Sequence, residues 1–338
     1  MNSVNPQQKQ ININGLDINY KQIGNGDVLI VLLHGWGVSS DKYSALAEYL
    51  SQFSISNFQF SILIPDLPGF GKSEEPKDDW KLDDYVEFVD KFIEKASRKS
   101  GFEMVKNLLK KFDPKNLTSQ LSIEQTPQPP LLGGLSSFAG SIVPPYRGTG
   151  QAPGCGAEAQ KFILIGHSFG GRIAIKYAVK YPEKIDKLIL TGAAGIRHKL
   201  NTKQRLFYIL AKAGKKILRF GRLASYSQKI LYKLAREKDY YKASPRMKEI
   251  MKNVLAEDLT PYLGKISSRG GSATGGKTTT LLVWGREDKT TPLSDGKIMN
   301  EKIENSELVI FDGANHSLPY QKPEEFAKVV GGFIKKEA

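Results

Sequence analysis

Cysteine is almost absent from this chain: Cys155 stands alone, so no disulfide can form within it. A fold stapled by bridges is thereby excluded, and stability has to come from a buried core. Long apolar runs are missing too, none approaching the roughly 20 residues a membrane-spanning helix needs. Met1 to Gln10 is polar and lacks the apolar stretch of a secretory leader. These absences make a cytoplasmic protein the expectation. No metal site and no cofactor are expected either.

What is present suits an ordinary globular protein, with 40% hydrophobic and 25% charged residues in 338. The length allows one large domain or two smaller ones. The net charge of +14 is unevenly spread. Between Gly195 and Pro261 stand 17 Lys/Arg against 5 Asp/Glu, a net +12, which leaves the remainder close to balance at +2.

Gln8 to Gln22 reads as a hairpin, its apolar residues alternating around Asn14-Gly15. Six short apolar runs follow: Val28 to Leu33, Ile62 to Ile64, Phe162 to Ile165, Leu188 to Leu190, Leu281 to Trp284 and Leu308 to Phe311. Runs without alternation predict strands buried on both faces, as in a parallel sheet. Helical stripes lie between them, such as Tyr85, Val89, Phe92 and Ile93, and the segments Arg172 to Lys180 and Glu324 to Lys336. The alternation predicts an α/β protein with a mostly parallel, doubly wound sheet, whose ligands bind at the carboxyl ends of the strands.

Three stretches break the rhythm. Residues from about Arg98 to Gln160 read as an irregular insertion. They open on a possible amphipathic helix (Gly101 to Phe112) and then hold six prolines, seven glycines and no lysine between Gln125 and Gln160. Ser267 to Lys277 reads as a flexible Gly/Ser-rich loop. Residues 197–263 are basic and helical in pattern, and they follow the sixth strand, so they are expected to form a helical lid on the catalytic face. The core is then 1–196 with 264–338.

Gly166-His167-Ser168-Phe169-Gly170 has the form G-x-S-x-G. The pattern is weak alone but gains force from its setting, because the strand Phe162–Ile165 runs into it and a helical pattern follows. The sharp turn lifts the Ser168 hydroxyl above the sheet edge and sets it at a helix N-terminus, where backbone amides favour negative charge. An incidental serine in a Gly-rich turn is the plain alternative. A serine needs a base to become a nucleophile. Of the four histidines, His167 is turned away by strand alternation, His34 is placed to hold the loop after the first long strand, and His198 opens the basic segment. His316 follows the last strand, on a loop where a base can reach Ser168. The carboxylate that orients it is expected at Asp288 in Trp284-Gly285-Arg286-Glu287-Asp288, with Glu287 as the alternative one residue earlier. The order Ser, Asp, His is the one this elbow type carries. Two amides are needed for the oxyanion, and they are assigned to Phe169 and to Trp36 in His34-Gly35-Trp36-Gly37.

These residues resemble the α/β-hydrolase family over nearly the whole chain apart from the two insertions. The marks are HGWG (His34–Gly37), DLPGFGKS (Asp66–Ser73), GHSFGG (Gly166–Gly171), WGREDKTTP (Trp284–Pro292) and GANH (Gly313–His316). The resemblance implies Ser168 as nucleophile, Asp288 as acid and His316 as base. Haloalkane dehalogenases and epoxide hydrolases of this fold carry aspartate where Ser168 stands, which argues against both. HGWG and DLPGFG together are also similar to the esterase of biotin synthesis that acts on a pimeloyl ester of an acyl carrier protein, although its elbow differs at the residue before serine.

The expected function is hydrolysis of carboxylic esters or related acyl substrates through an acyl-enzyme on Ser168. A C–C bond hydrolase is the nearest rival, and a non-catalytic receptor built on the same fold is a third reading. The basic lid could draw an acidic carrier protein or an anionic lipid surface. No recognised motif points to specific nucleic-acid binding.

Overall fold

The computed structural model describes residues 6–26, 28–52, 60–111, 161–197, 243–266 and 279–336, with backbone alone for 98–111. One eight-stranded sheet runs in the order β1-β2-β4-β3-β5-β6-β7-β8. β1 (Gln7–Ile13) and β2 (Leu16–Ile23) form the hairpin, with Ile13 facing Leu16. Asn14 and Gly15 between them take φ of 52° and 81°, the left-handed pair that a two-residue hairpin turn demands. β2 is antiparallel to β4 (Phe60–Pro65). From β4 onward the sheet is parallel, through β3 (Val28–Leu33), β5 (Phe162–His167), β6 (Ile185–Thr191), β7 (Thr279–Gly285) and β8 (Ser306–Phe311).

The apolar runs form strands because both of their faces are covered. Along β5, Phe162 and Leu164 enter one core with Phe92 of α2 (Leu82–Lys111), Ile173 of α3 (Phe169–Lys180), and Met299. Ile163 and Ile165 enter the other core, with Leu46 of α1 (Ser44–Ser51) and Val330. The chain is thus doubly wound, as expected for this α/β sheet. β8 is the exception among the runs: it is only half-buried. It ends the strand order, so one flank has no neighbour.

Five more helices are described: α4 (Pro245–Leu255), α5 (Thr260–Leu263), α6 (Leu293–Lys302), α7 (Leu318–Gln321) and α8 (Pro323–Lys335). α2 differs from the sequence reading. One helix runs through to Lys111, joining the stripe around Tyr85 to Ile93 with the helix expected from Gly101. Gly101 alone does not stop a helix, and no proline stands between Leu82 and Pro114. The chain divides into two compact units, residues 1–97 with 161–338, and residues 98–160. Residues 112–160, the loop from Ser267 to Lys277, and 198–242 of the basic segment, His198 included, lie outside the described residues. The basic segment's described end, α4 and α5, packs on the core through Met247, Ile250, Val254, Leu259 and Leu263.

The register sets the strand ends side by side. Leu33 pairs with Gly166, His167 with Thr191, Thr191 with Val283, and Gly285 with Phe311. The loops that leave these ends begin at His34, Ser168, Gly192, Arg286 and Asp312, so all five open on one edge of the sheet.

Candidate active site

β5 delivers its chain into a turn with almost no room. A Cβ on Gly166 would stand 2.7 Å from the Gly170 carbonyl oxygen, and one on Gly170 would stand 2.2 Å from that of Leu33. Glycine at both positions lets β5, α3 and the end of β3 meet. Ser168 sits at the apex with φ 53° and ψ −111°, a conformation that costs a non-glycine residue about 1–3 kcal/mol. Four main-chain hydrogen bonds hold it there. The Ser168 amide donates to Thr191 (3.2 Å), those of Ala194 (3.0 Å) and Arg172 (3.3 Å) donate to the Ser168 carbonyl, and that of Gly170 donates to His34 (3.0 Å).

The loop after β8 brings in His316, whose Nε2 lies 2.9 Å from Ser168 Oγ. Its Nδ1 lies 2.8 Å from Asp288 Oδ2. Asp288 is a buried acceptor, so Nδ1 carries the ring proton and Nε2 is left as a base facing the serine. Asp288 is held in turn: the amides of Thr290 and Thr291 donate to its Oδ1 at 2.8 and 2.9 Å. The Thr291 hydroxyl lies 2.9 Å from Asp288 Oδ2 and also 2.9 Å from the Gly192 carbonyl. Burial pushes the Asp288 carboxyl upward, but the bond and charge of His316 and the two threonine amides outweigh it, and the carboxyl ends below its ordinary value. It stays ionised wherever a neutral imidazole is useful. Glu287 takes no such place; its amide donates to Ala314.

The loop after β3 passes close by Ser168, since a Cβ on Gly35 would come within 3.2 Å of Ser168 Cβ. His34 fixes that loop. Its Nδ1–H donates to Gly35 O at 2.7 Å, and its Nε2 accepts from the Leu67 amide at 2.9 Å. Burial drives its pKa down, leaving a neutral ring. Phe169 heads α3, so its N–H has no partner within the helix. Neither it nor the Trp36 amide has an acceptor among the described residues. The Trp36 ring packs edge-on against Phe169 and Phe70, at 5.1 and 4.8 Å between centroids. Next to these rings opens a cavity of about 580 Å³ lined by Trp36, Val38, Phe70, Met247, Lys42 and Glu75, within the size range of small-molecule sites.

The structure thus brings together the residues read from the sequence: Ser168, Asp288, His316 and the amide-bearing Trp36 and Phe169. Sequence reading passed over Thr291, Tyr43 and Asp66. Thr291 had a signal, since an aspartate followed by main-chain donors two and three residues on is an Asx-type turn. Asp66 accepts from the Ser40 amide (2.7 Å), the Lys72 amide (2.9 Å) and Asn19 Nδ2 (2.8 Å), tying two loops to β2. Among the described residues no group of three or more His, Cys, Asp or Glu side chains gathers as for a metal ion, and no helix is long and apolar enough to cross a membrane.

A family model described as the alpha/beta hydrolase family matches residues 30–329. The 2-hydroxy-6-oxo-6-phenylhexa-2,4-dienoate hydrolase of Comamonas testosteroni is 23% identical over 94% of this chain and 91% of its own length. A 2-hydroxy-6-oxononadienedioate/2-hydroxy-6-oxononatrienedioate hydrolase of a Pseudomonas species is 22% identical over 96% of this chain and 93% of its own. Solved structures share the fold. A putative lipase from Acinetobacter baumannii AYE superimposes with a TM-score of 0.59 at 18% identity, covering 98% of this chain and 91% of that one. A meta-cleavage product hydrolase from Pseudomonas fluorescens IP01 gives 0.55 at 19% identity, covering 98% of each.

Proposed function

The chain belongs to the alpha/beta hydrolase family, and from that premise we propose that it hydrolyses carboxylic esters or related acyl substrates through an acyl-enzyme on Ser168. The observation that carries the reading is the unbroken contact from Asp288 through both ring nitrogens of His316 to Ser168 Oγ, at 2.8 and 2.9 Å. Ser168 Oγ attacks the acyl carbonyl while His316 Nε2 takes its proton. The carbonyl oxygen gains charge facing the amides of Phe169 and Trp36, which are free to donate. Asp288 stabilises the imidazolium without taking its proton. Collapse of the tetrahedral adduct breaks the bond to the leaving alcohol, which receives the proton from His316. A water then repeats the steps on the acyl-enzyme, with His316 as base and then acid, and the acid is released with Ser168 restored.

A second reading is favoured by the relatives, whose names describe hydrolysis of 2-hydroxy-6-oxo-dienoates, at low identity but over nearly the whole chain. The bond cleaved is then C–C and the leaving group a carbon. One experiment separates the readings: turnover of graded acyl esters and of 2-hydroxy-6-oxo-dienoates by the wild type and by Ser168→Ala. Ester turnover that falls by about 10⁴-fold or more in the variant supports the proposal. Turnover of the dienoates alone transfers the assignment to C–C hydrolysis. Ester turnover unchanged in a folded Ser168→Ala protein refutes the role of Ser168.

A further inference from the structure

His167 lies inside the elbow, one residue before Ser168, and its buried ring makes two hydrogen bonds that the proposed chemistry does not use. Its side chain turns beneath the sheet edge, as the alternation of β5 requires. There its Nε2 lies 2.8 Å from the main-chain carbonyl oxygen of His316, and its Nδ1 lies 2.6 Å from the Tyr43 hydroxyl. A carbonyl only accepts, so Nε2 bears the ring proton and Nδ1 accepts from Tyr43. The Tyr43 oxygen in turn accepts from the Gly35 amide at 3.4 Å. Four groups therefore form one line, from the loop that carries the Trp36 amide to the loop that carries the base.

We infer that His167, backed by Tyr43, is a positioning residue that holds His316 by its main-chain carbonyl and so locks the base loop to the oxyanion loop. The inference rests on the reading of His316 as the base for Ser168. His316 must span two partners at once, and a loop free to shift by an ångström would lose one of them; misplacement of that size can lower a rate about 100-fold. The sheet alone does not fix this loop, because β8 ends at Phe311, five residues before His316. Burial explains why a histidine can serve here. Desolvation, with the nearby His316 ring opposing a second positive charge, takes the His167 pKa down to about 3. Its ring stays neutral with one donor and one acceptor, and it sets no positive charge beside the imidazolium that forms 4.9 Å away in ring centroids. Tyr43 fixes the tautomer. Its own ring is buried and braced edge-on by Tyr320 of α7, the short helix that follows the base loop, at 5.6 Å between centroids.

The test compares full-length wild type, His167→Leu, His167→Gln and Tyr43→Phe in two ways. One is hydrogen–deuterium exchange of the peptide spanning Asp312 to Leu318. The other is kcat and KM on the best ester, with fluorophosphonate labelling of Ser168. Leucine fills the space without a donor, whereas glutamine can present an N–H near the position of Nε2. In His167→Leu, exchange in the loop should rise about tenfold. Its kcat and labelling rate should fall about 10- to 100-fold with KM within about twofold. His167→Gln should restore most of both. Tyr43→Phe should shift both readouts in the same direction by less, and it stands in for His167→Leu if that variant does not fold. Wild-type exchange and kcat in folded His167→Leu would overturn the inference. So would an equal loss of kcat in the leucine and glutamine variants with unchanged loop exchange, because the ring would then act only by filling space. Turnover surviving in Ser168→Ala refutes the proposed function instead, and the exchange comparison still decides the tether.

Discussion

The neutral His167 ring makes the folded state sensitive to mild acid, and the size of the effect follows from its pKa. The unfolded chain binds a proton on this ring near pH 6.5, the folded protein only near pH 3. Above 6.5 both states hold a neutral ring and the stability contribution is complete. Between 6.5 and about 3 only the unfolded state takes up the proton, so each pH unit removes about 1.4 kcal/mol of folding stability. From pH 7.5 to 5.0 the integrated loss is about 2 kcal/mol, a large share of the roughly 5–15 kcal/mol that holds a domain folded. His34, also buried and depressed, acts in the same direction. The assay is urea unfolding of wild type and His167→Gln at both pH values, read by fluorescence. Trp36, Trp80 and Trp284 all lie in the unit formed by residues 1–97 and 161–338, so the signal reports on that unit. The variant lacks the titrating ring, so the wild type should lose about 2 kcal/mol more than it does across this interval, with slopes unchanged. Equal losses in the two proteins would refute the reasoning, since the folded ring would then titrate as it does in water.

Two further substitutions probe the site. Asp288→Asn keeps the size of the side chain but lets it donate to His316 Nδ1, which favours the wrong tautomer; kcat should drop about 10⁴-fold while unfolding by urea changes little. A retained rate would show that Asp288 does not orient the base. Gly170→Ala forces a methyl to 2.2 Å from the Leu33 carbonyl oxygen, and α3 must retreat from β3. Stability should fall by about 1–3 kcal/mol and Ser168 labelling should slow; a wild-type urea midpoint would show that the elbow has slack.

The parts of the site that could be read from the sequence are those carried by short spans. Ser168 announces itself because the elbow's glycines, strand and helix are contiguous. Asp288 and His316 each stand a few residues beyond an apolar run. Asp288 is preferred, with Glu287 as the alternative, and it is Asp288 that meets His316, since a loop's register depends on which carboxylate captures the following amides. Tyr43 gave no signal. Its partner His167 is 124 residues away, and within its own segment it reads as one more apolar residue of an amphipathic stretch. The half-burial of β8 was hidden for a similar reason, because a strand's composition does not state its place in the sheet order. The onset of the insertion near Arg98 was legible from the change of composition, and the second compact unit begins there, but the continuity of α2 across it was not. Its first four turns are packed in the core through residues such as Tyr85, Val89 and Phe92, and local propensity stays favourable from there to Lys111.

The motif residues beyond Ser168, Asp288 and His316 share one physical task. Asp66 in DLPGFGKS collects amides from Ser40 and Lys72. His34 in HGWG links Gly35 to Leu67, and His167 in GHSFGG links Tyr43 to His316. Each is a buried polar side chain with at least one hydrogen bond to a segment distant in the chain: Asp66 to Ser40, His34 to Leu67, and His167 to Tyr43 and His316. Burying such a group without partners would cost about 1–3 kcal/mol, so each one stabilises the fold only while its two loops stay in place. Five loops leaving one sheet edge would otherwise move independently, and Ser168, Asp288 and His316, drawn from separate loops, would not hold the hydrogen-bonding distances between them. The sheet aligns the loops, and these side chains join them. The short motifs are therefore informative well beyond Ser168 itself: they specify how the loops around it are tied together.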